Sequence, residues 1–174
     1  RREYQLQSIR SDLNYKLIRG NVDTRIKKLE NGDYDAILLS KAGIEALGLD
    51  NKVTQEFDTE ELIPYAGQGI IAIQCRENDQ EIINILEKIN DNQSRIIANA
   101  ERKVLKILEG DCDTAVGVYA KINKDIVNIK AELFSVDGKQ RFFVEESENK
   151  KMINDLSIKI GEKLKSESKG SYKR

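Results

Sequence analysis

The chain has 174 residues with 39% hydrophobic and 34% charged content, a net charge of −1 and no histidine. That length supports one good core or two modest ones. Without an imidazole, histidine acid–base chemistry and the usual zinc, copper and non-haem iron sites are excluded within these residues, and no metal is expected.

Residues 3–11 read as a short helix, followed by a strand at Tyr15–Ile18. Asp23 or Thr24 suits the N-cap of a helix over Arg25–Glu30, and Asn31-Gly32 supplies its stop. Asp35–Leu39 is short, apolar and bounded by turn residues, which predicts a central parallel strand. Ala42–Leu47 continues as a helix stopped at Gly48, and Val53–Phe57 reads as a further strand. This alternation over residues 1–60 argues for an α/β lobe.

Pro64, the only proline, lies in ELIPYAGQG and marks a crossing between lobes, where Gly67-Gln68-Gly69 frees the backbone. Ile70–Ile73 reads as a strand apolar on both faces, which needs neighbours that this chain scarcely offers. Asp79–Ile89 is amphipathic, with Ile82, Ile83, Leu86 and Ile89 on one face. Asp91 or Ser94 caps a helix running to about Glu109, its apolar positions being Ile97, Ala100, Val104, Leu105 and Leu108.

Three strands follow, Ala115–Lys121, Ile126–Ser135 and Gln140–Glu146, with Asp137-Gly138 as a hairpin signal. A last helix at about Lys150–Glu167 buries Met152, Leu156, Ile158, Ile160 and Leu164 to varying degrees, and the polar tail SESKGSYKR is expected to fray. Strands in succession followed by a helix predict a small α+β domain, an antiparallel three-stranded sheet with helices on one face.

The near-zero net charge implies no general attraction to nucleic acid. Residues 1–30 nevertheless hold eight Lys/Arg against four acids, a local excess of +4. No aromatics interleave that excess, so it suits a small polyanion. No apolar run approaches the ~20 residues that span a bilayer, so no membrane partner is expected. The N-terminus is charged and carries no secretory pattern, and a first residue of Arg points to a processed product or a fragment. Two cysteines are too few for a disulfide framework, so a reducing cytoplasm is the expected location.

In Leu17–Leu49, Arg19 and Arg25 bracket a helix start. Guanidinium forks beside free backbone N–H groups can hold carboxylates or phosphates, although a solvated helix end explains the same residues. Arg1, Arg2 and Arg76 extend the candidate cluster, although spacing alone does not show that they converge. The pairs Asp33/Asp35 and Glu60/Glu61 read as solvated loop charges. Cys75 follows an apolar strand and reads as core filler. Cys112 lies in the loop LEGDCDTAVG, where neighbouring acids disfavour its thiolate and leave its role open.

RRxxQL at Arg1–Leu6, IRGNVDTRIKKLENGDYDAILL at Ile18–Leu39 and Ala42-Gly43 form one set of motifs. PYAGQGIIAIQCR at Pro64–Arg76 and AERKVLKILEGDC at Ala100–Cys112 form another. Together they resemble the porphobilinogen deaminase (hydroxymethylbilane synthase) family over nearly the whole chain. The resemblance implies a second lobe like that of periplasmic binding proteins at residues 1–63. It implies a hinge and return segment at 64–90 that completes an N-terminal lobe, and a cofactor-bearing α+β domain at 91–174.

It implies a transferase of tetrapyrrole (haem) biosynthesis that condenses four porphobilinogen molecules onto a dipyrromethane, releasing ammonia and then hydroxymethylbilane. The dipyrromethane would be thioether-linked to Cys112. Arg1, Arg2, Gln68 and Gly43 would line the cofactor, and Arg19 and Arg25 would bind substrate carboxylates. The catalytic aspartate of the family aligns upstream of Arg1, so no catalytic residue is expected here. The expected partners are porphobilinogen and the growing polypyrrole, and the complete protein is expected to be a monomer. Ala46 stands where the family often has arginine. The proline usual after the loop cysteine is replaced by Asp113-Thr114-Ala115, which predicts a less rigid loop. The alternative reading is a non-catalytic lobe that binds small carboxylates.

Overall fold

The structure is a computed structural model that describes residues 1–111 and 113–173. Its helices are α1 (Arg2–Ile9), α2 (Val22–Glu30), α3 (Lys41–Glu45), α4 (Gln80–Glu87), α5 (Asn92–Leu108) and α6 (Ile153–Ser168). The strands are β1 (Val116–Asn123), β2 (Ile126–Phe134) and β3 (Arg141–Asn149), and they form one antiparallel sheet in the order β1-β2-β3.

Strict alternation builds the core. Val127, Ile129, Ala131 and Leu133 of β2 are fully buried on one face, in register with Val116, Val118 and Ala120 of β1 and Val144 of β3. Helices α5 and α6 cover that face with Ala100, Val104, Leu108, Leu156, Ile160 and Leu164. Asp91 caps α5 by accepting the Ser94 N–H at 2.6 Å, and Glu109 ends it in the left-handed conformation.

The opposite face of the sheet is partly covered as well, although helices were expected on one face only. The Tyr4 ring of α1 lies 5.8 Å from that of Phe134, and Gln5 reaches the buried Glu132. Ile63 rests on Gly117, where an added Cβ would come within 2.9 Å of the Ile63 carbonyl oxygen. The edge of β1 is taken too: Val118 N–H donates to the Pro64 carbonyl at 2.8 Å, and Ala120 N–H donates to Glu101 at 2.9 Å.

Residues 1–90 depart from the α/β expectation. Tyr15–Ile18, Asp35–Leu39, Val53–Phe57 and Ile70–Ile73 form no ladder among the described residues. A strand needs a partner for its N–H and C=O groups, and apolar sequence alone provides none. Ile71 is accordingly 89% exposed, and Ile82, Ile85 and Ile89 on and beside α4 are exposed as well. Helix α2 starts at Val22 with Asn21 as its N-cap, three residues earlier than expected. Asn21 keeps extended backbone geometry and its carbonyl accepts from Arg25 N–H, which makes it the boundary residue.

As far as Lys173, the C-terminal tail is anchored rather than frayed. Tyr172 is buried and donates its hydroxyl to the Leu108 carbonyl at 2.8 Å, while the Ser171 carbonyl accepts from Val136 N–H at 2.9 Å. One aromatic ring and two hydrogen bonds outweigh the polar composition around them. Met152 and Ile158, expected to be inward, are 44% and 37% exposed. Among the described residues, no helix is long and apolar enough to cross a membrane.

Candidate polycarboxylate site

The site is assembled where α1, the turn after Pro64 and the start of the sheet meet. Arg1 donates through Nη1 to Gln5 Oε1 at 3.0 Å and to the Ile63 carbonyl, and through Nη2 to Gln68 Oε1 at 3.2 Å. All three acceptors are neutral, and among the described residues no carboxylate lies within ion-pair distance of Arg1. Burial, and next the neighbouring Arg2, pull the Arg1 guanidinium down to about 10. It stays charged at neutral pH, and no carboxylate of the described residues pairs with it.

Gln68 is held by a turn in which its N–H donates to the Tyr65 carbonyl at 2.9 Å, with Gly67 at a positive φ of 76°. Gly67 N–H donates to Glu101 Oε2 at 2.7 Å, and the other Glu101 oxygen accepts from Ala120. One buried carboxylate of α5 therefore fixes both the Gln68 turn and the first strand. Burial raises the Glu101 pKa and outweighs the lowering by its two N–H donors.

The same turn reaches the cysteine loop, as Tyr65 hydroxyl donates to the Asp111 carbonyl at 3.3 Å. Asp111 Oδ1 accepts from Asp113 N–H at 2.9 Å and from Thr114 N–H at 3.0 Å and its hydroxyl at 3.1 Å. These bonds hold the Asp111 carboxyl below its usual range, the Asp113 N–H most of all. The flanks of this loop are tied by Asp111 and Thr114. Cys112 itself lies outside the described residues.

Arg19 and Arg25 sit at the start of α2. Arg25 Nε donates to the Gly20 carbonyl at 2.7 Å, and the Arg19 carbonyl accepts from Lys28 Nζ at 3.2 Å. Gly43 packs α3 against this start, since a Cβ there would sit 3.4 Å from the Val22 side chain and 3.1 Å from Ser40 Oγ. Among the described residues, no hydrogen bond joins Arg19 or Arg25 to Arg1 or Gln68. Arg76 lies apart, exposed and paired with Asp79 at 3.2 Å. Ala46 ends α3 as an exposed residue.

A polycarboxylate group fits the unpaired cations. Arg1, Arg2, Arg19 and Arg25 all lack an ion-pair partner among the described residues, whereas Arg10, Arg76 and Arg141 are paired. Arg95 and Arg102 of α5 are unpaired as well, so the feature gains its meaning at Arg1, where burial accompanies it. Sequence reasoning missed Gln5, Glu101, Glu132, Arg141 and Tyr65. KAELF gave no signal for Glu132, because this residue alternates with the core residues Ala131 and Leu133 and falls on the face that the pattern assigns to solvent.

Two family models match the chain. Residues 1–84 match the porphobilinogen deaminase dipyromethane cofactor binding domain, and residues 96–166 match the porphobilinogen deaminase C-terminal domain. A cofactor-binding segment joined to a small α+β domain is thus the class of protein present. The chain belongs to the porphobilinogen deaminase family.

A porphobilinogen deaminase of Exiguobacterium sibiricum is 44% identical over 142 residues, covering 80% of this chain and 46% of that relative. That of Francisella tularensis subsp. novicida is 39% identical over 175 residues, covering 99% of this chain and 56% of the relative. The chain spans about half the length of the curated relatives it matches.

Proposed function

We propose that this chain supplies the carboxylate-binding and cofactor-bearing part of a hydroxymethylbilane synthase, a transferase of tetrapyrrole biosynthesis. Bound through a thioether at Cys112, the dipyrromethane would provide the pyrrole carbon to which four porphobilinogen units are added in turn. Arg1 and Arg2 would hold its carboxylates, Gln68 would orient Arg1, and Gly43 would let the backbone approach closely. Arg19 and Arg25, beside the N–H groups opening α2, would hold substrate carboxylates. The proton-handling carboxylate that the resemblance assigns to the reaction matches no residue of this chain.

The observation that carries the reading is the run of contacts from Arg1 through Gln68 to Tyr65 and Asp111. It draws the RRxxQL, GQG and LEGDC motifs together around the cysteine loop. On this reading residues 1–63 are a periplasmic-binding-protein-like lobe, and Ile70–Ile73 gains its strand partners from further chain. The whole protein would work in the cytoplasm as a monomer, with porphobilinogen and the growing polypyrrole as its partners.

Intact-mass measurement on the full-length gene product containing this chain tests the proposal. Cys112 should carry one dipyrromethane, and Cys112→Ser should carry none. An unmodified Cys112 in folded protein made where porphobilinogen is available overturns it. Reversible carboxylate binding without any adduct would instead favour a non-catalytic binding lobe.

A further inference from the structure

Glu132 is the most deeply buried carboxylate of the sheet, 2% exposed, and lies on the face turned away from α5 and α6. Its Oε2 accepts from Arg141 Nε at 2.9 Å, and its Oε1 accepts from Gln5 Nε2. Gln5 Nε2 also donates to the Ile63 carbonyl at 2.8 Å, so the amide nitrogen faces two acceptors. A carboxamide has one donor end and one acceptor end. With the donor end committed, Gln5 must present its oxygen to Arg1, as it does at 3.0 Å.

We infer that Glu132, through Gln5, is a positioning residue that sets where the Arg1 guanidinium points in the carboxylate site. The inference rests on the proposed role of Arg1 in cofactor binding. Arg141 pairs with Glu132 and supplies the partner that a buried carboxylate needs. Arg1 keeps its full charge for an outside ligand, because the oxygens that orient it are uncharged. The C-terminal sheet would thus control the cofactor site without a side chain of its own touching the ligand. Glu132 and Arg141 lie on adjacent antiparallel strands and Gln5 on α1, so no local sequence pattern announces the relay.

A swap tests the order of the hydrogen bonds. In full-length protein, Glu132→Gln sets a donor against Arg141 or against Gln5, and Gln5→Glu sets carboxylate against carboxylate. Each single variant should lower dipyrromethane occupancy by intact mass and raise the KM for porphobilinogen about tenfold, the scale of one hydrogen bond to a charged group. The double variant Q5E/E132Q restores the order. Arg141 then donates to the amide oxygen introduced on β2, and that amide's nitrogen donates to the carboxylate introduced on α1, whose second oxygen is left for Arg1. The bond to the Ile63 carbonyl is not remade and the carboxylate on α1 offsets part of the Arg1 charge, so a partial recovery of occupancy and KM over both single variants is expected, which relief of a general packing defect would not give.

Gln5→Leu leaves the Glu132–Arg141 pair intact and should reproduce the loss if a Glu132 variant fails to fold. Normal occupancy and KM in Gln5→Leu, or a loss that the swap does not repair, overturns the relay alone. An unmodified Cys112 in the wild-type arm overturns the proposed function and the relay with it.

Discussion

Glu101 of α5 accepts the backbone N–H of Gly67 at 2.7 Å while buried to 4% exposure. Its other oxygen holds Ala120 N–H, so a helix carboxylate joins the hinge turn to the sheet edge. Replacing it with glutamine leaves one acceptor for two N–H groups. Glu101→Gln should destabilise the protein by about 1–3 kcal/mol, the cost of one buried donor left unpaired, read by chemical denaturation.

The same residue gives a pH signature. Its folded pKa lies above the ordinary value of 4.5, chiefly through burial, so the folded state holds the proton more tightly than the unfolded state. That contribution is fully present below about pH 4.5 and is lost as pH rises through the higher folded pKa. The stability gap between wild type and Glu101→Gln should therefore narrow as pH is raised from about 4 to 8. A gap that widens over this range would show that the two N–H donors outweigh burial.

Gly117 faces the Ile63 carbonyl oxygen, and an alanine Cβ would meet it at 2.9 Å. The contacted atom is backbone, which cannot swing aside. Gly117→Ala should cost about 1–3 kcal/mol and lower the melting temperature, despite the better strand propensity of alanine.

Asp111 closes the cysteine loop by accepting from Asp113 and Thr114. Asp111→Ala should speed amide hydrogen exchange at both residues and slow adduct formation on Cys112, with little change in global unfolding. The folded pKa of Asp111 lies below 3.8, so its protection is present above that value and fades as pH falls through the lower one. Exchange measured at decreasing pH, after correction for intrinsic rates, should show the wild type approaching the variant.

Tyr172 ties the tail to the end of α5 through the Leu108 carbonyl. Tyr172→Phe should lower stability by about 1 kcal/mol. Removing the ring with Tyr172→Ala should cost about 3–5 kcal/mol, comparable to other buried aromatic truncations. Equal effects of the two variants would contradict a packed ring.

The C-terminal half was legible because periodicity and burial coincide there. Val104 and Leu108 follow the helical spacing, and Val127 to Leu133 alternate, so pattern alone locates α5 and β2. Ile70–Ile73 and Asp35–Leu39 carry an equally clear apolar signal, yet a ladder depends on a second strand that their own sequence cannot specify. Arg1 and Gln68 stood out only as parts of a family pattern. Gln5 and Glu132 stayed hidden because their significance is a contact across 127 positions of sequence. The Tyr172 anchor was masked by the lysines and serines around it.

At β1, the outward N–H groups of Val118 and Ala120 end on the Pro64 carbonyl and on Glu101. Those two positions are already capped and cannot template a foreign strand. A sheet sealed there leaves β3 as its margin, where Glu145 and Glu148 stand exposed while Glu146 is taken up by Lys159 and Lys163 of α6. The two borders of the small sheet thus discourage strand addition by different means, a helix carboxylate and a loop carbonyl on one side and the exposed charges of Glu145 and Glu148 on the other.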